Sequence, residues 1–432
     1  MESFKKTLKK ILPKSFIRLL INPFHLLEAI VATVIYGYPA RNLEFIGITG
    51  TKGKTTTANM LSEILVKAGH RVGLNSTAIL RVDDEVWEND LGLTTANAFK
   101  LQKLLARMKR SHCDIVVMEV SSHALVQHRV LGLRFETVVW TNLQRDHLDY
   151  HHTMENYAKA KAKLFSKNPQ LAVMNADDPW VDYFSSKRAE TQLFFGVEPG
   201  RDSTIIKAKL GASGSAVTLR IAEHELDVKL HLPGKFNVIN ALAAATTAYG
   251  MGVSLEHIKA GIEAVKAVPG RMEVIDEGQE ATVIVDFAHT EDSLRNVLQT
   301  IRTTLQGRLI TVLGGDGQRD IGKRTPLGGV AAELSELVVV CDQEPYDDDP
   351  DEIREQILIG IKKVEKQKPG VLHKVILNRR EAIHEALRYG KKGDVVVITG
   401  LGCQPFRCMA GGKIKWDERK VVREEIRKLQ KS

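Results

Sequence analysis

Cysteine is scarce in this chain. Four residues in 432 (Cys113, Cys341, Cys403 and Cys408) are scattered, and none forms a C-x-x-C pair. Such spacing supports neither a disulfide framework nor a zinc site and fits a reducing, cytoplasmic setting. Also missing is a hydrophobic run long enough to cross a bilayer. Residues 16–38 are apolar, but Arg18, Pro23, His25 and Glu28 interrupt them, and the longest uncharged stretch runs only from Ala29 to Ala40. No small-residue cleavage pattern follows, which excludes a secretory signal. Internal repeats and low-complexity tracts are absent too. With ordinary apolar content, 432 residues are expected to divide into two or three domains.

Charge is uneven. The net +8 gathers at the ends: Lys5, Lys6, Lys9, Lys10, Lys14 and Arg18 at the start, and Arg419, Lys420, Arg423, Arg427, Lys428 and Lys431 at the finish. The terminal run alternates with Glu418, Glu424 and Glu425, the pattern of a solvated helix face rather than a nucleic-acid patch, so no nucleic-acid partner is expected. Residues 1–43 have two readings. One is a helix packed on the next domain; the other is a basic amphipathic segment in peripheral contact with a membrane surface.

The most informative stretch is Gly47-Ile48-Thr49-Gly50-Thr51-Lys52-Gly53-Lys54-Thr55-Thr56-Thr57. It follows the apolar Phe45-Ile46 and opens an amphipathic segment carrying Ala58, Leu61, Ile64, Leu65 and Ala68. Strand, Gly-rich turn and helix start in that order make a phosphate cradle. Backbone N–H groups of Gly50 to Thr56 and the helix N-terminus face the anion, Lys54 adds a point charge, and the Thr55 hydroxyl is placed to ligate Mg²⁺. Ile48 stands where the strict P-loop pattern has Gly, so this is the shorter G-T-x-G-K-T-T form. The plain alternative is a Gly/Thr-rich loop with no ligand.

Beyond it, apolar runs at 44–49, 114–119, 136–142 and 171–176 alternate with helical patterns at 53–68, 97–110 and 154–165, the signature of a parallel sheet with helices on both faces. Residues 203–232 alternate apolar and polar around Gly-Ala-Ser-Gly, which suggests an antiparallel patch on the flank. A helical pair (about 236–250 and 254–266) leads to a hinge at Val268-Pro269-Gly270-Arg271. Strand–helix alternation then restarts at 282–287, 308–313, 336–341, 373–377 and 394–399. The expectation is an α/β protein: an N-terminal helical extension (1–43), a central doubly wound sheet domain of P-loop ATPase type (44–269) and a C-terminal Rossmann-like domain (270–432).

Glu119 and Ser121 lie just past one strand, and Asp146 and His147 past another. In an open parallel sheet ligands bind at the carboxyl ends of strands, so Thr55, Glu119, Asp146 and His147 are candidates to converge on the phosphates of a nucleotide. Taken singly, each is an ordinary polar loop residue.

A longer set of motifs resembles one family. G-T-K-G-K-T-T (50–56), L-T-T (93–95), E-V-S-S-H-A-L-V-Q-H-R (119–129), N-L-Q-R-D-H-L-D-Y-H (142–151), N-A-D-D (175–178), G-K-F-N-V-I-N-A-L-A-A (234–244), G-R-M-E-V (270–274), D-F-A-H-T (286–290) and G-Q-R-D-I-G-K-R (317–324) occur in that order. The set resembles the Mur ligases of the MurE type, which add the third amino acid to UDP-N-acetylmuramoyl-L-alanyl-D-glutamate, from about residue 44 to 404. The resemblance implies an ATP-dependent amide ligase for peptidoglycan precursors. The acceptor carboxylate attacks the γ-phosphate, and the incoming amine then displaces phosphate from the acyl phosphate. ATP, Mg²⁺, an acidic peptide acceptor and an amino acid are the implied small-molecule partners, and a monomer is expected.

Carried over by position, the resemblance gives Lys54 the β/γ-phosphates, Thr55 and Glu119 the first Mg²⁺, and His147 the second. Lys161 matches a carbamylated lysine that supports that second metal, and only it, not Lys159 or Lys163, should point inward. Gly50, Thr51, Lys52, Gly53 and Thr56 complete the phosphate loop. Asn237 and Asn240 fall on the adenine side. Arg271 reaches the phosphates from the hinge, and Asp286 and His289 close over the nucleotide. Thr94, Thr95, Ser121, Gln127 and Arg129 match acceptor positions.

Three departures accompany the match. The family's N-terminal domain, which grips uridine diphosphate, has no counterpart in residues 1–43, which are basic and apolar. The family's D-N-P-R, which holds the carboxylate of diaminopimelate, aligns with Gln343-Glu344-Pro345-Tyr346. Its G-K-G-H-E aligns with Gly400-Leu401-Gly402-Cys403-Gln404, so a neutral Gln404 replaces a Glu that pairs with an ammonium. Arg319 keeps its position for an α-carboxylate. The alternatives are the same chemistry on a lipid-linked or non-muramyl glutamyl acceptor, or a non-catalytic ATP-binding subunit.

Overall fold

Alternate residues of the central strands enter different cores. Ile46, Ile48, Val117, Val139 and Val173 join one cluster, and Phe45, Val116, Met118, Val138 and Met174 join another. A strand buried on both faces reads as a continuous apolar run, which is why these strands were visible in the sequence. The computed structural model describes residues 14–431 apart from 212, 213 and 369. The basic run at residues 5–10 lies outside the described residues.

The first sheet has eleven strands in the order β11-β10-β9-β8-β7-β6-β1-β5-β2-β3-β4. They are β1 (Glu44–Thr49), β2 (Val72–Asn75), β3 (Ile79–Val82), β4 (Glu85–Glu88), β5 (Ile115–Glu119), β6 (Thr137–Trp140), β7 (Leu171–Asn175), β8 (Thr191–Gly196), β9 (Ser203–Gly211), β10 (Gly214–Ile221) and β11 (His224–Leu230). Pairing is parallel from β2 through β5, β1, β6, β7 and β8 to β9. It is antiparallel at both flanks. The expected antiparallel patch at 203–232 is therefore present and continues the main sheet. After β1 the chain goes to one side for β2 and β5 and to the other for β6 to β8. The carboxyl end of β1 thus sits where strand order reverses, the usual crevice for a ligand.

The second sheet has six strands in the order β12-β13-β17-β14-β15-β16, and β18 pairs with β19 separately. These are β12 (Glu273–Ile275), β13 (Thr282–Asp286), β14 (Leu309–Leu313), β15 (Leu337–Val340), β16 (Leu372–Val375), β17 (Val395–Thr399), β18 (Phe406–Met409) and β19 (Gly412–Lys415). Only β12 runs antiparallel in the six-stranded sheet. The link between the sheets turns at Gly270 (φ +64), where a Cβ would sit 2.2 Å from the Cys403 backbone nitrogen. Only glycine meets both demands.

Helices stand at both ends of the described residues. Helix Glu418–Leu429 buries Val421, Val422 and Ile426 against the second sheet. The expected solvated face is present at Lys420, Arg427, Lys428 and Lys431, which are exposed, but Arg419 is buried and bonded to Glu88 of β4, while Arg423 and Arg427 pair with Glu273 and Glu277. Its amphipathic spacing spends the cations on the protein's own carboxylates. At the other end, helix Lys14–Ile35 packs Ala29 and Ala32 against Ala98, Phe99 and Leu131. No helix among the described residues is long and apolar enough to cross a membrane.

Candidate active site

The turn between β1 and helix Lys54–Lys67 is shaped by its neighbours across β6. Gly50 has φ +149, and a Cβ there would lie 1.9 Å from Thr141 Oγ1. The Thr51 N–H donates to the Asn142 carbonyl at 2.9 Å and the Lys52 N–H to Asn142 Oδ1 at 2.9 Å. Gly53 begins the helix with φ +86 and no side-chain cap, so first-turn N–H groups remain for a ligand. Gly53, Lys54, Thr55 and Thr56 line a cavity of about 1320 Å³ between the two sheets.

Two amines converge on this turn. Lys54 Nζ donates to the carbonyls of Gly50 (3.0 Å) and Thr51 (2.9 Å). Lys161 Nζ donates to the Gly50 carbonyl at 2.6 Å and stands 4.5 Å from the Tyr157 ring centroid. Burial lowers Lys54 to about 8. Burial, reinforced by the Lys54 charge, holds Lys161 well below the usual lysine range. As expected, Lys161 alone of its lysine trio points inward; Lys159 and Lys163 are exposed.

Glu119, at the carboxyl end of β5, is fully buried. Its carboxylate accepts from Thr55 Oγ1 (3.2 Å), from Thr77 Oγ1 (3.0 Å) and from the Thr77 N–H (2.6 Å). Burial pushes its pKa up against the pull of Lys54. Arg271 reaches from the hinge, donating to Thr55 Oγ1 at 3.2 Å with its guanidinium over the Phe287 ring. Thr77 carries no motif signal and is brought here by β2, whereas Phe287 lies within the D-F-A-H-T motif at the end of β13.

Asp146 faces Lys52 Nζ (3.5 Å), His289 Nε2 (3.8 Å) and His147 Nε2 (3.9 Å). Burial pushes its pKa up, but the Lys52 charge beside it prevails and the carboxyl stays well below its usual range. Burial lowers both His147 and His289 to about 3, so both rings are neutral. His147 also belongs to an aromatic cluster with His123, Tyr150, His151 and Tyr157. Within it His151 Nε2 lies 2.9 Å from Ser122 Oγ, a contact the sequence did not single out. Asp286 accepts from the Met272 and Ala288 N–H groups at 2.8 and 2.7 Å and so braces the hinge beside Arg271.

Not every candidate faces the cavity. Thr94, Ser121 and Arg129 line it. Thr95 is fully buried, donating to the Glu119 carbonyl (2.9 Å), and Gln127 accepts two N–H bonds from Arg129 (3.1 and 2.6 Å). Asn240 lines the wall beside Gly53, whereas Asn237 is buried and donates to the Pro233 carbonyl at 2.7 Å. At the far end Arg319, Glu344, Tyr346, Gly400 and Gln404 are lining residues. Gln343 is buried and donates to Asp316 Oδ1 at 2.7 Å. Arg319 donates to the Tyr346 hydroxyl at 3.0 Å, and Glu344 accepts the Cys408 N–H at 2.8 Å. Among the described residues, no three His, Cys, Asp or Glu side chains gather as a ligand set.

Residues 48–248 match the Mur ligase middle domain family, and residues 270–402 match the Mur ligase, glutamate ligase domain family. The chain belongs to the Mur ligases. Its relatives include a UDP-N-acetylmuramoyl-L-alanyl-D-glutamate–2,6-diaminopimelate ligase of Gloeobacter violaceus, 42% identical over 92% of this chain and 80% of the relative. The protein of the same name from Bacillus licheniformis is 38% identical over 93% and 82%. A solved structure of a ligase of that name is 31% identical, with TM-score 0.61, covering 90% of this chain and 80% of the other. A Mycobacterium tuberculosis folylpolyglutamate synthase shares the fold, with TM-score 0.71 at 18% identity over 94% and 95%. This Mur ligase is accordingly an ATP-dependent enzyme that forms amide bonds. Its phosphate loop, hinge arginine and Lys54 border one cavity, and Lys161 backs the loop through the Gly50 carbonyl.

Proposed function

We propose that the cavity joins an amino acid to the free carboxylate of a muramoyl-peptide acceptor through an acyl phosphate, with ATP as phosphoryl donor and Mg²⁺ as the ion. The observation that carries this reading is the buried Lys161, whose amine lies 2.6 Å from a phosphate-loop carbonyl and which burial pushes toward its neutral form. A neutral amine can add CO₂, releasing a proton and leaving an anionic carbamate, a ligand-bearing group that a binding-only protein has no need of.

The donor set suits Mg²⁺, which takes oxygen ligands and is commonly held by one or two protein groups with phosphate and water completing the shell. Thr55 and Glu119 would hold one ion; His147 and carbamylated Lys161 would hold a second. Magnesium there supplies charge neutralisation where two anions must meet. The chain's own groups do the rest. Lys54 and Arg271 are placed to hold phosphoryl oxygens, and the uncapped helix N-terminus adds oriented N–H donors. Arg129, fixed by Gln127 and the Thr95 carbonyl, offers a cation to an acidic acceptor. The neutral rings of His147 and His289 add no positive charge beside Asp146.

For the incoming amino acid, Arg319 retains a cation for the α-carboxylate. Tyr346 and Gln404 present no charge to a distal zwitterion, so the favoured side chain is uncharged or singly charged. An array of acceptors against amino acids, read by phosphate release, tests the reading. Release that needs both substrates supports it; ATP hydrolysis indifferent to every acceptor contradicts it.

A further inference from the structure

Along residues 23–35, helix Lys14–Ile35 turns its small residues to the protein, with Phe24, His25, Glu28 and Thr33 half-buried. Ala29 and Ala32 are buried. Leu26, Leu27, Ile30, Val31, Val34 and Ile35 are exposed, with Leu27 at 60% and Ile35 at 64%. Their spacing of four and one puts them in a single stripe along the helix. A contiguous apolar stripe facing water marks an interaction surface rather than a random exposure.

The charge around the stripe selects its occupant. Residues 1–43 carry seven Lys or Arg (positions 5, 6, 9, 10, 14, 18 and 41) against two Glu (positions 2 and 28). A basic segment leading into an apolar helical face matches an anionic bilayer surface, where cations meet headgroups and the stripe enters the acyl boundary. A second copy of the chain would bring the same excess of positive charge and repel. Crossing the bilayer is excluded for the described helices, so the contact is peripheral. The helix also sits on Leu131, two residues beyond Arg129, beside the end of the cavity that Arg129 lines.

We propose that helix Lys14–Ile35 docks this ligase on an anionic lipid surface through the Leu26–Ile35 stripe, with the Arg129 end of the cavity next to that surface. The inference is independent of which acceptor and amino acid are joined.

The test uses the full chain and sedimentation with vesicles. Binding to phosphatidylglycerol-containing vesicles at about 0.1 M ionic strength, weakening as salt rises, is expected, with none to pure phosphatidylcholine. The Leu27→Glu/Ile35→Glu protein should lose about tenfold or more in vesicle affinity, while its melting temperature and ADP formation in detergent-free buffer stay unchanged. Three results would each overturn the proposal: wild type that stays in the supernatant with anionic vesicles, a double variant that sediments equally well, or a salt-resistant dimer that the double variant dissociates without any vesicle binding.

Discussion

Lys54 and Lys161 donate to the same oxygen, the Gly50 carbonyl, at 3.0 and 2.6 Å. Two buried ammonium groups cannot share one carbonyl without cost, and burial pushes both amines toward their neutral forms. The Lys161→Ala protein should keep its fold by circular dichroism and lose about 10²–10³-fold in turnover. Added acetate or bicarbonate should restore part of the rate to this variant only. Turnover close to wild type would remove the carbamate from the account.

Lys54 titrates near 8 because burial outweighs its attraction to Glu119. A lysine lowered in the folded enzyme is charged below that pH and neutral above it. ATP capture by the free enzyme should therefore weaken as pH rises through about 8, seen as a falling kcat/KM for ATP. The Lys54→Ala protein should have low activity and no inflection in that range. An inflection of equal size in both proteins would assign the titration elsewhere.

At the amino-acid end, Tyr346 receives a hydrogen bond from Arg319 where the family motif has an arginine. Leaving the far carboxylate of diaminopimelate without a cation costs about 1–3 kcal/mol. Wild type should prefer an uncharged or singly charged amino acid by kcat/KM, and Tyr346→Arg with Gln404→Glu should move preference toward diaminopimelate. The highest kcat/KM for diaminopimelate in wild type contradicts this.

The C-terminal helix is pinned by a fully buried ion pair, Arg379 with Glu418, and Arg379 also donates to the Thr399 carbonyl at 2.7 Å. Removing one partner strands the other charge, so Arg379→Met should cost about 3–5 kcal/mol by denaturant unfolding. A change below about 1 kcal/mol would mean that water reaches the pair.

The sequence disclosed the central strands because residues such as Ile46 and Val117 are buried on both sides of the sheet. It did not disclose β3 or β4, which are four residues long, β4 forming the largely exposed edge of the sheet. Site residues at strand ends and in the phosphate loop were legible through the motifs. Thr77 was not, because only the pairing of β2 with β5 brings it to Glu119. Asn237 and Gln343 carried a motif signal, yet both are spent inside the wall. Position in a motif fixes proximity to a site but not which way a side chain's hydrogen bonds run.

The central claim is an acyl phosphate formed on the acceptor. An acceptor carrying ¹⁸O in its free carboxylate tests it most directly, with mass analysis of the phosphate released during amide formation. Attack of that carboxylate on the γ-phosphorus, followed by amine displacement, sends one labelled oxygen into inorganic phosphate for each amide bond made. Label recovered in phosphate in step with product is the predicted result; unlabelled phosphate, with the amide formed, would contradict the mechanism.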